Sequence, residues 1–216
     1  MSEACPLCKD PSTSPLHRGG KASGFRDFLR CGGCDLVFVP RRQMLTPEQQ
    51  KDRYLQHRND VHDPDYRRFL GKLYYELKPH LEAGAEGLDF GSGPGPALAA
   101  MMREDGFTVD TYDTYFHADE GALDKTYDFI TCTETAEHFA DPAQEFQRLA
   151  SLLRSPGWLG VMTGMPADWS QFSDWHYHRD PTHVNFFSRR TMNWLADKYG
   201  WDPSYPSDNV TLFFSR

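Results

Sequence analysis

The sequence predicts an α/β fold, in which a largely parallel sheet is covered by helices on both faces, with a small appendage. From Gly87 onward short apolar stretches alternate with amphipathic helical ones, the pattern of strand–helix–strand units. The stretch "GLDFGSGPGPAL", Gly87 to Leu98, reads as a buried strand, a glycine-rich turn and a helix start. The length, 216 residues, suits one domain plus a small module.

Residues 1–45 read as that module, with "CPLC" and "CGGC" flanking a segment rich in Ser, Gly and Pro. Residues 46–84 form a helical lead-in. Thr46 caps a short helix with Pro47 at its first position. "DPDYRRFLGKLYYELKPHL" is a longer helix capped by Asp63, and Tyr66, Phe69, Leu70, Leu73, Tyr74 and Leu77 make its apolar face. Residues 85–216 hold the alternating domain. "EGLDF" is its first strand and "PALAAMMREDG" its first helix, ended by Gly106. "FTVDTYD" and "TYDFITCT" are further strands. "DPAQEFQRLASLLRSPG" is a helix with Asp141 as cap, and "WLGVMTG" a strand. Ser188 caps "RRTMNWLADKY", Gly200 ends it, and "VTLFF" is the last strand.

The net charge is −8, distributed as +2 over residues 1–50 and −10 over the rest. An acidic main domain is a poor general binder of nucleic acid, because phosphate contacts need Lys and Arg. No apolar run approaches the roughly 18 residues of a spanning helix, so no membrane partner is expected. "MSEACPLCKD" lacks the apolar core of a secretory signal, and a cytoplasmic location is expected.

The glycine turn fits neither common phosphate motif. No Lys follows Gly95, against a Walker loop, and the third glycine comes one residue early for a dinucleotide fingerprint. Its D-x-G-x-G-x-G pattern, Asp89 to Gly95, resembles motif I of class I S-adenosylmethionine-dependent methyltransferases. The resemblance implies S-adenosylmethionine as cofactor and a three-layer α/β/α Rossmann-like sandwich. Gly91 and Gly93 let the backbone turn and approach a ligand, and Ser92 lies between them. Asp89 ends the strand, where it can fix the ligand's ammonium. The helix start favours its carboxylate. Asp113 stands 18 residues after Gly95 at the end of the second strand and suits the ribose diol. Asp110 is on the same strand but farther from its carboxyl end.

"YDFITCTETAEHFADPAQEFQRLASLLRSPGWLGVMT" is similar to the fourth strand, following helix and fifth strand of the small-molecule branch of that family. The likeness implies that Thr133, Glu134 and His138 line donor and acceptor. One departure is plain. Only 13 residues separate Asp113 from Tyr127, too few for the helix and third strand usual there, which shortens the connection and leaves the adenine contact to a candidate such as Phe116.

Cys5-x2-Cys8 and Cys31-x2-Cys34 lie 22 residues apart, and each knuckle can aim two thiolates at one ion. Four thiolates suit tetrahedral zinc, with iron as the alternative, in a closed structural site. A module this small has little core and would depend on the metal. Cys132 lies on a strand and reads as packed. Zinc ribbons ahead of such domains resemble those of ribosomal RNA guanine methyltransferases and of sugar C-methyltransferases. The nearest resemblance is to uncharacterised bacterial methyltransferases.

"DWHYHRDPTHVNFFS", Asp174 to Ser188, follows the fifth strand, where an acceptor wall would sit. Its histidines have three readings: a packed loop, an acceptor pocket with His178 or His183 as base, or a metal site of two histidines with Asp180. Together these features predict methyl transfer from S-adenosylmethionine to a small-molecule acceptor, with His138, His178 and His183 as candidates for acceptor chemistry. An RNA methyltransferase using the ribbon and a non-catalytic binding module are the alternatives. The acceptor and the oligomeric state are open.

Overall fold

The structure, a computed structural model, describes residues 3–56 and 60–216. The N-terminal module is a small antiparallel sheet of β1 (Thr13–Arg18), β2 (Asp27–Cys31) and β3 (Val37–Phe38). Two helices follow. In α1 (Pro47–Tyr54), Thr46 and Gln49 form a reciprocal capping box, so two otherwise orphaned amides are satisfied. In α2 (Pro64–Leu77), Asp63 accepts from the amides of Asp65 and Tyr66.

The parallel part of the main sheet is built from β4 (Glu86–Phe90), β5 (Thr108–Tyr112), β6 (Tyr127–Thr133) and β7 (Leu153–Met162), which run parallel to one another. Between them run α3 (Ala97–Glu104) and α4 (Pro142–Leu152). A two-residue strand, β8 (Asn185–Phe186), precedes α5 (Arg189–Tyr199) and a hairpin of β9 (Trp201–Ser207) and β10 (Val210–Ser215). The strand order is β5-β4-β6-β7-β10-β9, and β10 runs antiparallel to both β7 and β9. Leu73 and Leu77 of α2, with Leu98 and Met102 of α3, cover one face over Phe129, Met162 and Leu212. Phe146 and Leu149 of α4, with Met192 and Leu195 of α5, cover the other over Leu88, Ile130 and Val161. Each such buried side chain contributes about 1.5–3 kcal/mol, so the three layers are held mainly by these two apolar seams. Together they are the α/β/α sandwich read from the sequence.

Three features correct or extend the sequence reading. First, "WDPSYPS" is the strand β9, which local pattern conceals because it carries Pro203 and Pro206. Proline is tolerated there because β9 is the sheet edge and its unpaired side needs no amide. Second, the stretch between Asp113 and Tyr127 forms a bridged turn, with Asp113 and His117 exchanging both backbone hydrogen bonds, and one 3₁₀ turn at Glu120–Leu123. β5 is therefore the sheet's other edge. Third, the N-terminal module does not stand apart. Its strand β3 pairs with β8, making the four-stranded order β1-β2-β3-β8. Phe28, Val37 and Val39 share a small core with Trp169, Phe172, Val184 and Phe186.

Candidate active site

The carboxyl ends of β4, β5 and β6 open onto a cavity of about 540 Å³, within the range of small-ligand sites. The glycine loop forms its floor. Gly91 has φ +79° and Gly93 φ +64°, conformations that favour glycine. A Cβ at Gly91 would lie 2.2 Å from the Thr135 side chain. Ser92 and Thr133 line the cavity, and both hydroxyls are buried without a hydrogen-bond partner among the described residues. A buried unsatisfied hydroxyl costs about 1–3 kcal/mol, so two at one cavity mark where a polar ligand would repay it.

Asp113 also lines the cavity. Its Oδ2 accepts from the Gly93 amide at 3.0 Å, and its Oδ1 accepts from the Tyr115 and Phe116 amides at 2.8 and 3.1 Å. A carboxylate has about four lone-pair sites, so about one remains for a ribose hydroxyl, not the two expected from sequence. Asp110 is turned away, bonded to Lys125 and Tyr127.

Asp89 corrects the reading of motif I. It is 3% exposed and is not among the cavity-lining residues. Its carboxylate accepts from the Thr131 hydroxyl at 2.9 Å. Burial pushes its carboxyl up to about 6 against the bonds that hold it down.

The opposite wall is acidic and aromatic. Glu134, the first residue past β6, has φ +48°, rare outside glycine, and its amide donates to Met162 O at 2.7 Å. Burial, with the Glu137 charge beside it, pushes the Glu134 carboxyl up to about 8. Glu137 is fully buried and accepts from the Thr163 hydroxyl at 2.9 Å and from the Tyr177 hydroxyl. His138 and His183 stack edge-to-face, with centroids 4.8 Å apart. Their Nδ1 atoms face the carbonyls of Thr182 and Tyr177 at 3.0 and 2.8 Å. A carbonyl only accepts, so each Nδ1 carries a proton and each Nε2 points away from that bond. One ligand atom from each of Glu137, His138 and His183 lies within 4.8 Å of the others, an arrangement able to relay a proton or hold a divalent ion. Burial and the neighbouring His138 bring the His183 ring down to about 4.

His178 does not join them. Its ring is 3% exposed and packs on Phe172 and Phe28 at 5.1 and 5.4 Å, within the core shared with the N-terminal module. The segment turns after Tyr177, which sends His178 away from the cavity and His183 into it. Asp180 lines the cavity but is held by Thr182 and by Arg53 at 2.9 Å, so it is not the partner of two histidines. Sequence reading missed the lead-in helices as walls. Gln50 and Tyr54 of α1, and Tyr66, Phe69 and Leu70 of α2, all line the cavity. The apolar stripe of α2 was the available signal, since Tyr66, Phe69 and Leu70 belong to it. Thr114, Tyr115 and Phe116 of the short turn complete the lining, where a third strand would otherwise stand.

Cys5, Cys8, Cys31 and Cys34 converge with all ligand atoms within 4.8 Å of one another. Cys5 and Cys34 Sγ are 3.6 Å apart and Cys8 and Cys31 Sγ 3.4 Å, far beyond disulfide length. A tetrahedron with zinc–sulfur arms of about 2.3 Å has edges of about 3.8 Å, so the set fits. The residues after each pair, Lys9 and Asp35, both have positive φ, 62° and 68°, so the two knuckles repeat one turn. Cys132 is fully buried on β6, and burial pushes its thiol well up, as expected of packing.

Among the described residues no helix is long and apolar enough to cross a membrane. The methyltransferase domain family matches residues 57–204. The ubiquinone biosynthesis O-methyltransferase of Pectobacterium atrosepticum is 35% identical over 87 residues, which cover 40% of this chain and 36% of that protein. The chain thus matches about a third of that relative's length. The solved structure of Burkholderia thailandensis 1,6-didemethyltoxoflavin-N1-methyltransferase, with 1,6-didemethyltoxoflavin and S-adenosylhomocysteine bound, is similar over 89% of this chain and 96% of its own, with TM-score 0.57 and 14% identity. An O-methyltransferase family protein from the same organism is similar over 77% of this chain and 62% of its own, with TM-score 0.49 and 16% identity. The sheet order, the glycine loop at its switch and the family match agree: the chain belongs to the methyltransferase domain family.

Proposed function

We propose that the chain transfers a methyl group from S-adenosylmethionine to a small-molecule acceptor, with a structural zinc ion in its N-terminal module. The observation that carries the reading is the pair of orphaned hydroxyls, Ser92 and Thr133, beside Asp113 on the glycine loop. S-adenosylmethionine supplies an electrophilic methyl whose sulfur leaves as a neutral thioether. The protein's task is then alignment, exclusion of water and removal of one proton. Asp113 takes one ribose hydroxyl, Ser92 and Thr133 pair with polar ligand atoms, and Tyr115, Phe116 and Phe90 supply apolar surface for the base. His138 receives the acceptor's proton at Nε2, its orientation fixed by Nδ1–H to Thr182 O. His183 stays neutral at physiological pH and accepts a hydrogen bond. Glu134, protonated near neutral pH, donates one.

A small hydroxyl- or amine-bearing acceptor fits this acidic and aromatic wall. The named relatives act on small molecules by their names, and the acidic main domain disfavours RNA. Calorimetric titration tests the donor site. S-adenosylmethionine and S-adenosylhomocysteine should bind at about micromolar Kd, NAD should not, and Asp113→Ala should weaken both by about tenfold or more. Equal binding of NAD, or indifference to Asp113→Ala, would refute the assignment.

A further inference from the structure

The wall that faces the glycine loop is held from outside the methyltransferase fold. Arg26 lies on the turn before β2, in the cysteine module, and is 5% exposed. Its Nη2 donates to the carbonyls of His178 at 2.7 Å and Asp180 at 2.8 Å. Its Nη1 donates to those of His183 at 2.9 Å and Pro181 at 3.1 Å. Nε donates to Ser23 O at 3.0 Å, which fixes the fork itself. One planar guanidinium thus gathers four carbonyls from a six-residue bend whose internal bonds run only from Asp180 to Thr182 and His183. A Lys ammonium, a point charge with three donors, could not span them.

Further ties run the same way. The Val39 amide donates to Val184 O at 2.9 Å, and the Val184 amide donates to Glu137 O at 2.8 Å. Asp35, in the second cysteine knuckle, accepts from Trp169 Nε1 at 3.0 Å and Ser188 Oγ at 2.6 Å. The two ends and the middle of residues 169–188 are therefore anchored on the module. From that segment Tyr177 bonds Glu137, and Asp180 and His183 line the cavity.

We propose that Arg26 is a positioning residue of the active site: it locks the 178–183 bend so that Tyr177, Asp180 and His183 form the acceptor wall, making the cysteine module part of the acceptor site and leaving the donor site independent of it. The inference rests on the methyl-transfer reading only in calling that wall the acceptor side.

Hydrogen–deuterium exchange on the full chain tests it, with Arg26→Ala and Arg26→Lys beside the unaltered protein. In both variants amides of residues 176–184 should exchange at least about tenfold faster, while the glycine loop and β4 keep their protection. Millimolar guanidinium should restore protection in Arg26→Ala, which a general folding defect would not permit. S-adenosylhomocysteine affinity should stay within about threefold, since distant sites act independently. Unchanged exchange in 176–184, or loosening of the whole sheet without rescue, would overturn the proposal. If no variant and not the unaltered protein bound S-adenosylhomocysteine, the methyl-transfer reading would fail while the exchange result stayed decisive for Arg26.

Discussion

Glu134 shows how one residue carries both strain and charge at this site. Its left-handed backbone turns the chain out of β6, and its carboxyl is buried beside Glu137. The ordinary value is 4.5 and the folded value about 8. Between those values the folded protein keeps a proton that the unfolded chain has released. Stability therefore falls as pH rises through that window. Asp89 acts with the same sign but only up to about 6. Thermal unfolding between pH 6 and 8 should accordingly show Glu134→Gln gaining on the unaltered protein as pH rises. A constant difference across that range would mean Glu134 titrates normally. Some residues could be placed from sequence, because a strand end is a local feature: Asp113 lines the cavity as expected. Asp89 and His178 could not. Whether a strand-end acid faces the cavity or is buried against a neighbouring strand's hydroxyl, and which way a bend sends its histidines, depends on contacts distant in sequence.

At the scale of elements, helices were legible because their caps are written locally. Thr46, Asp63, Asp141, Ser188 and Gly200 mark ends that the structure bears out. Strand β9 was hidden by its prolines, and the two-residue strands β3 and β8 are too short to have a period. The glycine loop is an element where a small change has a direct consequence. Gly91→Ala would place a Cβ 2.2 Å from Thr135 on a backbone with φ +79°. It should cost about 1–3 kcal/mol in stability and weaken S-adenosylhomocysteine binding by about tenfold or more, measured by chemical denaturation and calorimetry. An unaltered loop affinity would mean the turn is not pressed against Thr135.

For the whole molecule, the three-layer architecture followed from alternation of strand and helix, and the four-cysteine cluster followed from its spacing. How the two parts join did not, because Arg26, Asp35 and the β3–β8 pair form no sequence pattern. The join predicts that occupancy of the proposed metal site and order in residues 176–184 rise and fall together. Zinc chelation, or Cys31→Ser, should lower the unfolding temperature and first expose residues 164–188, read by exchange or limited proteolysis. Early exposure of α3 or the glycine loop instead would show that the module stabilises the sheet at large. The most direct test of the central reading is a crystal structure grown with S-adenosylhomocysteine. The ligand should lie in the cavity between the glycine loop and the Glu134–His138 wall, with a ribose hydroxyl on Asp113 and the sulfur facing that wall. A cavity left without ligand at saturating concentration, or ligand lodged elsewhere, would contradict that reading.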